Sequence, residues 1–535
     1  MKQKIIALSL VIGLLLGIAA CSGASAGDNT TTTPSATPSV SAKPSTSAPV
    51  APTITDATDI VLSDDGTTVD GAALSTDPSS AVYTGAQIVY YEAGHDETYG
   101  EGTEADSHTA EEAAAQTVVT ITKAGAYRVS GTLSAGQLAI DLGEDAASDP
   151  TAVVTLILDN ASITCTVAPA LIFYNVYECG SSDTETATPT VDTTAAGANV
   201  IIADGSENHF TGSYVAKIYK EGTDKKLHKY DGAFYSKMSM NVFGETEGTG
   251  KLYIAAENEG LDSELHLTIN GGSIDIQADN DGINTNEDGV SVTTINGGYL
   301  TINAGLGAEG DGIDSNGYLV INGGTVTTLA NSKADGGLDS DMGIYLNGGT
   351  VLALGGRNDE ASTESTQTYI QLSFASTQKT GSVITLQTGD GNELFHYTAE
   401  RDFSSLTFSS ADLKADVSYA VYVDGVQQQY TGHSFGMGGG GMGGGTPPDM
   451  ADGEIPSERP ELPTDGTAPT DMPERPEGFE GKEGMTPPDG TAAPDASSRP
   501  GGGRGNGGGE ALAPSTDFTI TAENKSFSGV TDVTE

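Results

Sequence analysis

"DGIDSNGYLVINGGTVTTLA", Asp311 to Ala330, has neighbours that read as its copies. Upstream lie "EGLDSELHLTINGGSIDIQA" from Glu259 and "DGINTNEDGVSVTTINGGYLTINA" from Asp281; downstream lies "GGLDSDMGIYLNGGTVLALG" from Gly336. Aligned on the Asn of Asn-Gly-Gly, they place Asn270, Asn296, Asn322 and Asn347 at intervals of 26, 26 and 25 residues. A fixed period in this range marks stacked structural repeats.

The residue before each Asn is apolar (Ile269, Ile295, Ile321, Leu346), and so is the fourth after it (Ile274, Leu300, Val326, Val351). The residue two before, Thr268, Thr294, Val320 or Tyr345, mostly tolerates solvent. Alternation around a Gly-Gly corner is the strand pattern, with no helical period. One such repeat cannot bury its own apolar face, but a stack buries a continuous core. A propeller blade needs nearer 40 residues. The expected fold is therefore all-β, a parallel β-helix solenoid of about 25-residue turns. Weaker copies ("GTGKLYI", "DGAFYSK", "NVIIADGSENHF", "VVTLILDNASITC") extend it upstream. The solenoid is expected over 117–375, preceded by N-terminal strands and an insertion at 56–116 and followed by a small β cap at 376–435.

The acids recur with the repeat. Asp262, Asp314 and Asp339 fall eight before the Asn, and Asn284 takes the matching corner of the second copy, displaced by its extra "EDGV". Glu259, Asp281 and Asp311 open three corners, Asp335 lies beside another, and Asp341 follows Asp339 by two. Stacked turns put equivalent residues about 4.8 Å apart. Two carboxylates at that distance repel by about 1 kcal/mol in water, and more near protein. Such a column needs protons, hydrogen bonds or a cation, and its oxygen donors suit calcium. Asp and Asn at tight turns also bond their own backbone. The Asn270–Asn347 column is expected to be structural, its amides bonding one another along the stack.

The whole chain has 74 acids against 23 bases, a formal net charge of −51. That repels nucleic acid and anionic lipid, and both are excluded as partners. "MKQKIIALSLVIGLLLGIAAC" reads as a signal peptide over 1–20, ending in a lipobox-like Ile18-Ala19-Ala20-Cys21. This predicts a lipid on Cys21, the only membrane link, at the extracellular face of a bacterial cell membrane. A Ser/Thr/Pro-rich tether follows over 21–55. Residues 436–515 are Gly/Pro/Glu-rich and read as disordered, and 516–535 are strand-like again. Cys165 and Cys179, fourteen apart, could pair or remain free thiols.

The motifs above, with "AYRVSGTLSAGQLAID" and the repeated "DGI(D/N)(S/T)…INGG", resemble the clostridial cellulose- and pectin-binding β-helix proteins called carbohydrate-binding domain-containing proteins. The resemblance spans about Asp56 to Gly425. It implies a right-handed parallel β-helix related in fold to pectate lyases, bound calcium, and binding of plant-type polysaccharide, including acidic pectin. Calcium at the Asp corners would invert the local sign for an anionic polymer. A neutral, cellulose-like glucan would want an aromatic platform. Trp is absent, which leaves Tyr299, Tyr318 and Tyr345 as ligand-binding candidates. Insertions at 90–116 and 180–198 depart from the family pattern and bear on ligand choice. Two alternatives stand beside a binding module that is not an enzyme. One is a calcium-dependent polysaccharide (pectate) lyase, for which Lys333 is the candidate base. The other is a non-catalytic adhesin or stalk.

Overall fold

The computed structural model describes residues 49–90, 108–215, 230–433 and 513–533. They are all-β, with 32 strands and almost no helix. The short helix Ala110–Ala114 is held by a Thr109/Glu112 capping box and buries Ala113. Cys21 lies outside the described residues.

Most strands fall into three parallel ladders. Ladder I runs through Val154–Thr164, Ala198–Ile202, Met240–Gly244, His266–Ile269, Val292–Ile295, Tyr318–Ile321 and Gly343–Leu346. Ladder II runs through Glu207–Gly212, Lys251–Ala256, Ser273–Ala278, Tyr299–Asn303, Thr325–Leu329 and Thr350–Gly355. Ladder III runs through Thr117–Ile121, Gly136–Asp141, Leu171–Asn175, Gly232–Ser236, Glu259–Ser263 and Ile283–Thr285, then narrows to single bridges at Ile313 and Leu338. From Glu259 onward the chain visits III, I and II in that order, repeat after repeat. Thr58–Leu62 adds a further parallel strand beside Gly125–Leu133.

The alternation buries the apolar positions as the sequence predicts, but of the positions expected to tolerate solvent Thr268 and Val320 are buried too. Ile269, Ile295, Ile321 and Leu346 are fully buried, as are Leu261, Ile283 and Ile313. Each such side chain contributes about 1.5–3 kcal/mol relative to leaving it in water. The second Gly of every Asn-Gly-Gly is at positive φ: Gly272 (94°), Gly298 (96°), Gly324 (84°) and Gly349 (78°). A Cβ there meets the neighbouring repeat as well; at Gly349 it would lie 2.6 Å from the Gly324 carbonyl oxygen. Glycine is needed on both counts.

A second core, rich in Phe (Phe374, Phe395, Phe403, Phe408, Phe518, Phe527), covers the last repeat. Phe403–Ser409 pairs antiparallel with both Thr350–Gly355 and Tyr369–Gln378. The end of the chain returns to this cap. Phe518–Ile520 pairs with Val417–Val423, and Ser526–Asp532 lies between Tyr369–Gln378 and Val426–Gln429. Cys165 is buried and Cys179 half-buried, and both are free thiols.

Candidate functional site

Ladder III gathers the acids. Its register sets Asp262 opposite Asn284, and the Ile283–Ile313 and Ile313–Leu338 bridges bring Asp314 and Asp339 into the same column, one residue on. The inward neighbours Ser263, Thr285, Ser315 and Ser340 form a buried hydroxyl column, with Thr285 and Ser315 oxygens 2.8 Å apart. Small hydroxyls let successive turns approach closely, which is why the acids beside them stack.

At the inner end of this column, carboxylate oxygens of Asp231, Glu259 and Asp262 lie within 4.8 Å of one another, on residues 1%, 3% and 0% exposed. Asn284 Nδ2 donates to Glu259 Oε1 (3.0 Å) and Asn286 Nδ2 to Asp262 Oδ1 (2.9 Å). Asp262 Oδ2, Asn284 Oδ1 and Asn286 Oδ1 are buried and meet no hydrogen-bond donor among the described residues. Burial, then the negative charges of Asp231 and Glu259, raise the Asp262 carboxyl well above its usual range. A buried oxygen with no donor is costly. This donor set, all oxygen and mostly anionic, fits a hard divalent cation.

Further along, the acids also serve the backbone. Asp281 Oδ1 accepts from the Asp311 amide (2.6 Å), Asp311 Oδ1 from the Gly336 amide, and Asp335 Oδ2 from the Gly310 amide (3.0 Å). Burial, and then Asp281 and Asp339, push the Asp311 carboxyl up to about 9 and Asp314 to about 8. Asp281 rises to about 7 through burial, and Asp359 to about 7 through burial and the adjacent Asp339. Asp314 and Asp339 are half-buried and Asp341 is exposed, so the column opens to solvent at this end.

Of the nine candidate ligands, Glu259, Asp262 and Asn284 lie on ladder III strands, Asp314 and Asp339 directly follow its bridges, and Asp281, Asp311, Asp335 and Asp341 flank it. Absent from the sequence set were Asp231, Asn286 and Asp359. Asp231 carries the same Asp-Gly signal as Asp281 and Asp311, but Gly232 pairs with Glu259, so its corner is offset by one residue. The tyrosines separate. Tyr299 stands 64% exposed on ladder II, whereas Tyr318 and Tyr345 sit on ladder I, ring centroids 6.3 Å apart and tilted. The three make no single platform. Lys333 is exposed, its amide bonded to Asn331 Oδ1. Lys237 is half-buried, 6.0 Å from the Tyr230 ring, its pKa lowered by burial, and the acids that act on it are Glu264, Asp141 and Glu144 rather than the candidate ligands.

The outer face of ladder I carries the Asn column. Asn296 donates to Asn270 (2.9 Å), Asn322 to Asn296 (3.0 Å) and Asn347 to Asn322 (3.1 Å). This is the amide ladder expected from the spacing.

A family model described as "Carbohydrate-binding domain-containing protein" matches residues 115–394. A solved structure, of the polysaccharide lyase-like protein from C. thermocellum (gadolinium derivative), aligns at 22% identity with a TM-score of 0.34, over 55% of this chain and 94% of that one. No curated protein matches the chain.

Proposed function

Since the chain belongs to the carbohydrate-binding domain-containing protein family, we propose that it is a surface lipoprotein that binds an acidic, pectin-like polysaccharide, with calcium at the stacked acids of ladder III. In this reading the three ladders are the faces of a right-handed parallel β-helix. A lipid on Cys21 holds the protein at the extracellular face of the bacterial membrane.

The observation that carries the metal reading is Asp262 Oδ2, a buried carboxylate oxygen with no donor among the described residues, grouped with Asp231 and Glu259. Residues Asp231, Glu259, Asp262 and Asn284 would hold a cation that stabilises the fold, because no polymer reaches side chains so deeply buried. Asp314, Asp339 and Asp341 sit at the open end and are the residues a polymer can reach. A bound divalent ion there supplies positive charge where the protein is otherwise repulsive to a uronate. The chain's own contribution is to hold the acids in register along the stack.

The lyase alternative requires a base beside the acids. The lowered pKa of Lys237 favours it over the exposed Lys333 for that role. One experiment separates the readings: mix the protein with polygalacturonate in calcium or in chelator, and measure retention together with soluble unsaturated product. Calcium-dependent retention without product is expected. Product lost on Lys237→Ala would move the chain to the lyases, and neither retention nor product would leave a stalk. Mass spectrometry of the exported protein should find a diacylglyceryl adduct on Cys21.

A further inference from the structure

We propose that the groove along the outer face of ladder I is the docking site of the chain's own upstream segment, residues 40–48, which extends the strap that residues 49–57 lay across the solenoid.

The described part of the strap sets the direction. Thr58–Leu62 joins the start of the stack, beside Gly125–Leu133. Just upstream, Ala51, Ile54 and Ala57 pack on Ile157, Ile201 and Phe243. Those three are equivalent residues of successive ladder I strands, Ile157 opposite Ile201 and Ile201 opposite Phe243. Followed backwards from Thr58, the chain therefore climbs the stack. The described residues begin at Pro49, and Pro49 and Val50 line a groove of about 640 Å³. The groove continues past them along Thr294, Asn296, Asn322 and Asn347, all half-buried. One wall is 189–196, with Pro189 and Val191 half-buried. Thr193 pins it, its hydroxyl 2.7 Å from Asn241 Oδ1 and 2.8 Å from Thr268 Oγ1.

Reach, chemistry and charge select residues 40–48 as the occupant. Nine extended residues span up to about 30 Å, and the three steps from Asn270 to Asn347 cover about 14 Å. The floor turns from apolar to amide past Phe243, and the chain turns with it. Ala51, Ile54 and Ala57 meet the apolar part; Ser41, Ser45, Thr46 and Ser47 come next. Pro44, Pro49 and Pro52 favour an extended backbone whose polar groups find no partner within the segment. Asn296 and Asn322 each spend one N–H and one lone pair on their neighbours. An amide has a second of each, which hydroxyls and backbone groups of an extended chain can use. Lys43 is the one ionisable residue of 40–48, and Asp192 is the one ionisable side chain among the described residues lining the groove. Their charges are opposite. Docked this way, the chain leaves the stack beside its last repeats although its first strand joins at the beginning, and nine residues are withdrawn from the tether.

Hydrogen–deuterium exchange of the full chain tests this, read by mass on a fragment covering 40–49 and compared with a synthetic peptide of residues 40–57. The amides of Ser45, Thr46 and Ser47 should exchange at least about tenfold more slowly in the protein than in the peptide. Thr294→Lys, which sets a long cation on the floor without touching the amide column, should abolish that protection. Thr294→Ser should keep it. Amides of Tyr318–Ile321, followed in the same samples, report that each variant is folded and should not change. Exchange in the wild type at the peptide's rate overturns the proposal. Protection that survives Thr294→Lys overturns the placement in this groove. Protection that rises with protein concentration assigns the groove to the segment of a second copy and overturns docking within one chain.

Discussion

Two columns of side chains climb the same stack at the same spacing, and they solve the crowding differently. On ladder I, Asn270, Asn296, Asn322 and Asn347 donate and accept in turn, so the column closes on itself. On ladder III, carboxylates only accept. They borrow amides from the next repeat at Asp281 and Asp311 and from the preceding one at Asp335, and Asn donors at Glu259 and Asp262. That supply falls short at Asp262 Oδ2, and the remaining options are a proton or a cation. The same repeat thus builds one column that is complete and one that depends on its solution.

The largest effect should come from giving the dependent column its cation. Calcium at a hundredfold excess over its Kd should add about 2.7 kcal/mol to unfolding stability at pH 8. Asp262→Asn should remove most of that gain while leaving the chelated protein no less stable, because a neutral amide replaces a carboxyl that burial and its acidic neighbours disfavour in charged form. Denaturant melts with and without calcium measure both, and an equal calcium shift in wild type and variant would break the comparison.

Next comes pH. Asp281, Asp311 and Asp314 titrate higher folded than the ordinary Asp value of 3.8. The folded state therefore holds their protons more tightly. Their contribution is complete below about pH 4 and is lost as pH rises through about 7 to 9. In chelator, stability should fall by at least about 2 kcal/mol between pH 5 and 9, and calcium should flatten the slope. A flat profile in chelator would mean these carboxyls are already compensated.

A smaller effect is expected on the self-sufficient column. Asn322→Asp replaces the donor to Asn296 with an acceptor and should cost about 1.5 kcal/mol. Calcium should not restore it; recovery by calcium would show that the two columns are not distinct in kind. Smallest is Tyr299→Ala. The ring is 64% exposed on ladder II, away from both columns, so stability should move by less than about 0.5 kcal/mol. Retention on polygalacturonate should hold.

The repeat made much of this legible. Period and alternation identify which residues are equivalent from turn to turn, and equivalence is enough to predict the Asn ladder and the stacking of Asp262, Asn284, Asp314 and Asp339. Lateral facts are not periodic. The one-residue offset that brings Asp231 to Glu259 and Asp262 depends on the path of a single turn. The separation of Tyr299 from Tyr318 and Tyr345 depends on which ladder each strand joins. Composition misled at one point: 21–55 reads as tether throughout, yet Ala51 and Ile54 pack on Ile157, Ile201 and Phe243. Two scattered apolar residues in a Pro/Thr-rich stretch carry no pattern, and their partners lie over a hundred residues away. The insertion at 180–198 likewise shows nothing in its letters of the Thr193 bonds that make it a wall.

The end of the chain has a consequence for how the protein is made. Tyr430 pairs with Ser515 and Gly432 with Ser528, so the chain leaves the cap and rejoins it at one place. A ribosome delivers the repeats in order, and each can settle on the one before it. The cap cannot close until the last twenty or so residues arrive, because Phe518 and Phe527 belong to its core. A prematurely terminated copy therefore exposes an apolar face that proteases can recognise, whereas a finished copy nicked between His433 and Ala513 would run as two bands on a denaturing gel and one particle in solution.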